Sequence, residues 1–278
     1  MNSLPAGILA FAAGVVVANR TAMARAAPIV FTLLLINLLF FAAGALVPRW
    51  NSALLEYGAW WYPAHEYFRP WQAVSYLFLH AGFAHLFFNM FALVSFGSIL
   101  ERQWGGGRFL GFYFLCGLGA GLTQIAVHWH QFAGLQEQLV ASGVSESVIE
   151  SFLLTGHGRI PSDPAVREAL LDLYRIYAAP MLGASGAIYG ILVAFGILYP
   201  NAKLTLMFIP APVAAKFFIP VLLAIDLLSG VTGFSLFGAG VAHFAHLGGA
   251  AVGFLLMLLW RRRRRLNTTA PSPFVASS

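Results

Sequence analysis

Charge is what this sequence has least of. Asp, Glu, Lys and Arg make up 9% of its 278 residues, against 59% hydrophobic ones, where an ordinary soluble domain carries about 25% charged residues. So small a share excludes a water-soluble globule and points to an integral membrane protein in contact with lipid. Cysteine is nearly missing too. The single Cys116 lies inside an apolar run, which excludes a disulfide framework, and no Cys/His spacing suggests a structural metal or any cofactor. There is no basic patch interleaved with exposed aromatics, so nucleic acid is not an expected partner. The net charge of +6 gathers largely in Arg261 to Arg265, a tail suited to an anionic inner leaflet. The ten-residue alternating segments of an outer-membrane barrel are also lacking. The apolar runs are instead near the ~20 residues that a spanning helix needs. The expected fold class is therefore all-α, a polytopic membrane bundle.

Residues 4–18 are apolar but short, and no Lys or Arg precedes them. They read either as a signal-type stretch or as a further membrane-associated segment in an N-terminal extension, 1–27. Six spanning helices follow, expected at about Pro28–Val47, Gly82–Leu100, Phe109–His128, Ala184–Tyr199, Ala214–Leu228 and Val241–Trp260. Between the first two lie Trp50, Tyr57, Trp60, Trp61, Tyr62, Tyr67 and Trp71, a density of rings that marks a headgroup-level loop. Residues 129–178 break the apolar pattern with six acids and read as a polar insertion on the outer side, carrying short amphipathic helices. Pro210-Ala211-Pro212 reads as a turn, Gly230 to Gly240 as a flexible outer loop, and 261–278 as a basic tail. This topology places eleven of the sixteen Lys and Arg inside, as orientation by positive charge requires.

The topology also brings chemistry together. The second, fourth and sixth helices all enter from the outer side. In their first turns they carry His85 and Asn89, Ser185, and His243 and His246 respectively. Residues four apart such as His85 and Asn89 share a helix face. Ser185 sits in Gly183-Ala184-Ser185-Gly186, a run that is equally a packing seam for helices in a membrane. Strongly polar groups at one depth in a bilayer are costly, however, and default to a functional reading.

These residues resemble the motifs of the rhomboid intramembrane serine proteases over most of the span from Pro28 to Trp260. The family's G-x-S-G reads Gly183-Ala184-Ser185-Gly186. Its A-H-x-x-G-x-x-x-G reads Ala245-His246 with Gly249 and Gly253, its H-x-x-x-N reads His85 to Asn89, and its stacking aromatic is Tyr189. Two departures stand out. The family's frequent Trp-Arg pair in the interfacial loop is Trp71-Gln72 here, which leaves the anchoring of that loop unaccounted for, and 129–178 is longer than a minimal rhomboid needs.

The resemblance implies a rhomboid-like six-helix catalytic unit over 28–260. Ser185 would be the nucleophile and His246 its base, with His85 and Asn89 donating to the oxyanion and Tyr189, Gly183 and Gly186 in support. No third, acidic member is expected, since no Asp or Glu lies in the first turns of the second, fourth or sixth helix. The substrates implied are single-span membrane proteins, cut in or beside the transmembrane segment. They would enter past the fifth helix, with the site opening to the extracytoplasmic side of a bacterial plasma membrane. An inactive relative that escorts transmembrane segments is the alternative. A transporter would carry inverted repeats, and none is present. Oligomeric state is not legible in the sequence.

Overall fold

The computed structural model describes residues 26–158, 161–206, 209–234 and 241–269. The apolar stretch 4–18 lies outside them. Helix α1 is Pro28–Leu46 and α2 is Pro48–Gly58, the latter lying in the aromatic-rich segment. Spanning helix α3 is Phe83–Trp104, with a π-type stretch at Leu93–Gly97, and α4 is Gly106–Ala141. Then come α5 (Glu146–Thr155), α6 (Pro164–Ala178) and α7 (Ser185–Leu198). An antiparallel hairpin of β1 (Lys203–Leu206) and β2 (Ile209–Ala214) leads into α8 (Ala215–Thr232), and α9 is His243–Thr269.

Of the six expected spans, five are long and apolar enough to cross a bilayer by length and composition: α1, α3, α4, α8 and α9. The sixth, α7, has 14 residues, about 21 Å at 1.5 Å per residue, against a hydrocarbon thickness of ~30 Å. It is wrapped by α4, α8 and α9, and ten of its residues are buried. A helix this short cannot reach both surfaces of a bilayer.

The structure corrects several boundaries. The third span does not stop at His128 but runs on as one helix of 36 residues to Ala141. The sequence from Trp129 to Ala141 holds no proline, and its one glycine, Gly134, is tolerated. A turn comes only at Ser142-Gly143, where Gly143 has φ 86. The Pro210-Ala211-Pro212 turn is strand β2 of the hairpin. The fifth span continues to Thr232 and stops at Gly233, φ 73, so the start of the expected Gly230–Gly240 loop is helical and 235–240 lie outside the described residues. Finally, α9 carries the arginine run as helix through Thr269.

The C-terminal part of α4 joins α5 and α6 in a lobe with its own apolar centre of Leu139, Ile149, Phe152, Ala169, Leu170 and Leu173. Asp163 caps α6 through the N–H groups of Ala165 and Val166, with Pro164 in the first turn. The acid that closes the second span does related work across helices. Glu101, 2% exposed, accepts from the N–H groups of Ile29 and Val30 at 2.8 Å each, placing a carboxylate on the positive end of α1.

The structure accounts for the anchoring of the interfacial loop, through Gln72 itself. Gln72 is fully buried. Its Oε1 accepts from the N–H groups of Trp61 and Arg69, and its Nε2 donates to the carbonyls of Glu56 and Tyr67. Trp71 Nε1 donates to the Tyr57 carbonyl. An amide has both donors and acceptors, so this one residue ties four backbone points where an arginine could only donate.

Candidate active site

Ser185 is positioned from both sides along the chain. Before it, Trp60 and Met181 exchange backbone hydrogen bonds at 2.8 and 2.9 Å, and the Gly183 N–H donates to the Tyr76 carbonyl at 2.9 Å. The Tyr76 hydroxyl in turn donates to the Gly117 carbonyl on α4 at 2.6 Å. Gly183 has φ 120, a conformation that side chains rarely adopt, and a Cβ there would stand 2.7 Å from the His85 ring. Ser185 itself opens α7, where the first intrahelical bond is Ile188 N–H to the Ala184 carbonyl. The N–H groups of Ser185, Gly186 and Ala187 are therefore left facing outward from the helix end, with the helix dipole behind them.

His246 reaches Ser185 from α9. The two helices touch backbone to backbone, because a Cβ on Gly249 would overlap the Gly186 carbonyl oxygen, and one on Gly253 would stand 2.7 Å from the Gly190 backbone. The start of α9 is held by α4, whose Gln124 Oε1 accepts from the Ala245 N–H at 3.1 Å. On this frame His246 Nε2 lies 2.8 Å from Ser185 Oγ. The Tyr189 ring stacks on the imidazole at 4.2 Å between centroids and 11° between planes. Ser185, His85 and His246 are each partly exposed, so the pair is not sealed.

The two residues of the second span sit differently from one another. His85 packs on Gly183, and its Nδ1 accepts a long bond from the Ala81 N–H at 3.4 Å, which leaves Nε2 as a donor. Asn89 is buried and donates through Nδ2 to the His85 carbonyl at 2.8 Å. One of its two amide hydrogens is thus committed to its own helix.

Sequence reasoning placed no carboxylate here, yet the structure does. Asp226 on α8 is fully buried, and its Oδ1 lies 2.6 Å from His243 Nδ1 and 3.1 Å from His246 Nδ1. The three side chains hold their donor atoms within 4.8 Å of one another and are the one group among the described residues that could gather around a metal ion. Two ligands of a tetrahedral zinc at 2.0–2.1 Å would stand about 3.3 Å apart. Both nitrogens meet a single oxygen at shorter, hydrogen-bonding separations, and hydrogen bonding accounts for the cluster. A signal was available: Asp226 is the acid in the otherwise apolar run Phe217–Leu228, and an acid in a span defaults to a functional reading. It stands on the fifth span, away from the first turns of the second, fourth and sixth that carry the other site residues.

Comparison with known proteins agrees with this arrangement. The Rhomboid domain family matches residues 67–263. An uncharacterized mitochondrial rhomboid protein of Schizosaccharomyces pombe is 29% identical over 70% of this chain and 53% of its own length. Rhomboid protease GlpG of Yersinia pseudotuberculosis is 27% identical over 52% of this chain and 54% of its own length. Rhomboid protease GluP of Bacillus subtilis is 32% identical over 30% of this chain and 15% of its own length. The chain thus spans about half or less of the length of these relatives. Since mitochondrial proteins stand among them, the bacterial plasma membrane expected from sequence is not supported. With a domain match over most of its length and five helices fit to span a bilayer, the chain belongs to the rhomboid family of multi-pass integral membrane proteins.

Proposed function

We propose that this chain is a serine endopeptidase that cuts membrane proteins in or beside their transmembrane segment, with Ser185 as nucleophile and His246 as general base and acid. The observation that carries the reading is the 2.8 Å contact between His246 Nε2 and Ser185 Oγ under the stacked Tyr189 ring. In the first half-reaction His246 Nε2 takes the hydroxyl proton as Oγ bonds to the scissile carbonyl carbon. The same proton then goes to the leaving amine as the C–N bond breaks. Water repeats the sequence on the acyl-enzyme and restores Ser185.

The carbonyl oxygen becomes negative where the outward N–H groups at the start of α7 already point, and the Ser185 N–H meets it with donors from His85 and the free amide hydrogen of Asn89. Gly183 keeps the backbone open against His85, and Gly186 lets α9 come close enough to bring His246 in. A substrate helix hides its carbonyls in its own hydrogen bonds, so the segment cut must unwind locally. Helix-breaking and small residues at the scissile bond favour that.

The same fold could hold a transmembrane segment without cutting it. The paired Ser185 and His246 argue for chemistry, since a holding site has no use for a hydroxyl in contact with a base. Labelling of the purified protein by a fluorophosphonate, compared across wild type, Ser185→Ala and His246→Ala, separates the two. Wild type labels and both variants fall to background while remaining folded. A wild type that stays unlabelled, or a Ser185→Ala that labels as well as wild type, rejects the protease reading.

A further inference from the structure

We propose that Asp226 is a positioning residue for the Ser185–His246 pair, so that the site works as a three-membered relay with its acid supplied by α8. The proposal rests on the protease reading above and deepens it.

An ionised carboxylate can only accept hydrogen bonds. Asp226 is fully buried, and its Oδ1 contacts two imidazoles through Nδ1 at 2.6 and 3.1 Å. Among the described residues its ion-pair partners are those two histidines, with no Lys or Arg. A carboxylate inside a bilayer persists where strong donors face it, and here both Nδ1 atoms must be the donors. For a neutral His246 this fixes the tautomer. The hydrogen sits on Nδ1, so Nε2 has a free lone pair, and Nε2 is the atom 2.8 Å from Ser185 Oγ. When His246 takes the serine proton it becomes an imidazolium whose Nδ1–H still points at a negative oxygen. Asp226 itself takes up no proton. Stacking by Tyr189 holds the plane of the ring but is indifferent to which nitrogen bears the hydrogen, so the two contacts do different work. His243 shares the same oxygen and restrains the carboxylate from turning away.

The test uses the full chain in detergent. Asp226→Asn keeps the size of the side chain and removes the charge. In a soluble triad the same change lowers kcat by about 10⁴; since Tyr189 also orients the ring here, the expected loss in fluorophosphonate labelling rate is about 10²–10⁴-fold. KM for a transmembrane substrate should stay near its wild-type value, because no substrate contact is removed. Serine dependence of any residual labelling should persist, which separates this idea from the protease reading: an unlabelled wild type defeats both, whereas a wild type that labels beside an Asp226→Asn that labels equally fast defeats the relay alone. In case the variant does not fold, a second measurement needs no change at Asp226. ¹⁵N-histidine spectra of wild type, with the His246 signals identified by their loss in His246→Ala, should show His246 protonated on Nδ1. A His246 protonated on Nε2 in the resting protein overturns the proposal.

Discussion

The membrane bundle and the polar lobe of α4, α5 and α6 are built from one chain by different rules. In the bundle many large apolar side chains point outward, around a buried core that includes Phe109, Phe112 and Tyr113: Phe88, Phe91 and Leu255 are half or more exposed, to what is lipid in the membrane. The helices approach through Gly186, Gly190, Gly249 and Gly253. In the lobe the large residues Leu139, Phe152, Leu170 and Leu173 turn inward, and Glu150, Arg167 and Glu168 face out. The difference is the solvent. Lipid tails give helices no reason to hide leucine, so close backbone contact and polar bonds must hold the bundle. Water supplies that reason for the lobe. The buried polar groups of the bundle are correspondingly few, and Asp226 and His243 are the ones that adjoin the Ser185–His246 pair.

The largest effect that would break this comparison comes from reversing each rule once. Gly249→Val puts a branched side chain where the Gly186 carbonyl already sits. With backbone on both sides neither helix can yield, so the cost should lie at or above the upper end of the ~1–3 kcal/mol usual for overpacking. Leu173→Ala removes a fully buried side chain from the lobe at a cost of about 2–5 kcal/mol. The energies are similar but the readouts should part: Gly249→Val abolishes fluorophosphonate labelling. Leu173→Ala leaves it intact while amide exchange in α5 and α6 speeds up. Loss of labelling in a Leu173→Ala protein whose bundle remains folded would show that the lobe supports the site, and that 129–178 is no separate unit.

A smaller effect sharpens the comparison within the bundle. If His85 and Asn89 donate to the oxyanion, each Ala variant should lose roughly 10²–10³ in kcat, about 2.7–4 kcal/mol, and keep residual activity from the α7 backbone N–H groups. The double variant should fall short of the product of the two if both donors meet one oxygen. Because one Asn89 hydrogen is bonded to the His85 carbonyl, Asn89→Ala should also lower Tm more than His85→Ala does. Lower melting temperatures with unaltered kcat per folded molecule would reduce both residues to ties between helices.

The parts legible in the sequence were those with a local signature. Apolar runs marked the spans, and the small residues around Ser185 and His246 marked a seam and a site together, since a glycine needed for close approach looks the same in either role. The end of α4 was not legible at His128, because hydropathy reports where an apolar run ends and the helix ends elsewhere, at Ser142-Gly143. The work of Gln72 has no such signature, as its four bonds join irregularly spaced backbone points, at Glu56, Trp61, Tyr67 and Arg69. Asp226 is 20 residues from His246 in sequence and on another helix. No periodicity could announce that contact, and only its misplaced charge did.

The smallest expected effect lies at the seam between the two regions. His65, in the interfacial loop, stacks on Trp61 at 4.2 Å and meets Tyr177 of α6 at 4.6 Å, and its Nδ1 accepts from the Tyr67 N–H at 3.1 Å. Burial holds its pKa below the ordinary histidine value, with Glu66 pulling weakly the other way. The unfolded chain takes up the proton near pH 6.5, and the folded protein does so only at lower pH. Between those points the unfolded state binds more protons, so stability is full above about pH 6.5 and declines as pH falls through that window. His65→Phe keeps an aromatic ring between Trp61 and Tyr177 but cannot titrate. Wild type should therefore lose more Tm than His65→Phe between about pH 7.5 and 5.5, by less than the loss from Leu173→Ala, since the ring is only partly buried. Equal declines in the two proteins would mean that protonating His65 leaves the seam intact, and that bundle and lobe are joined there by the stacked rings alone.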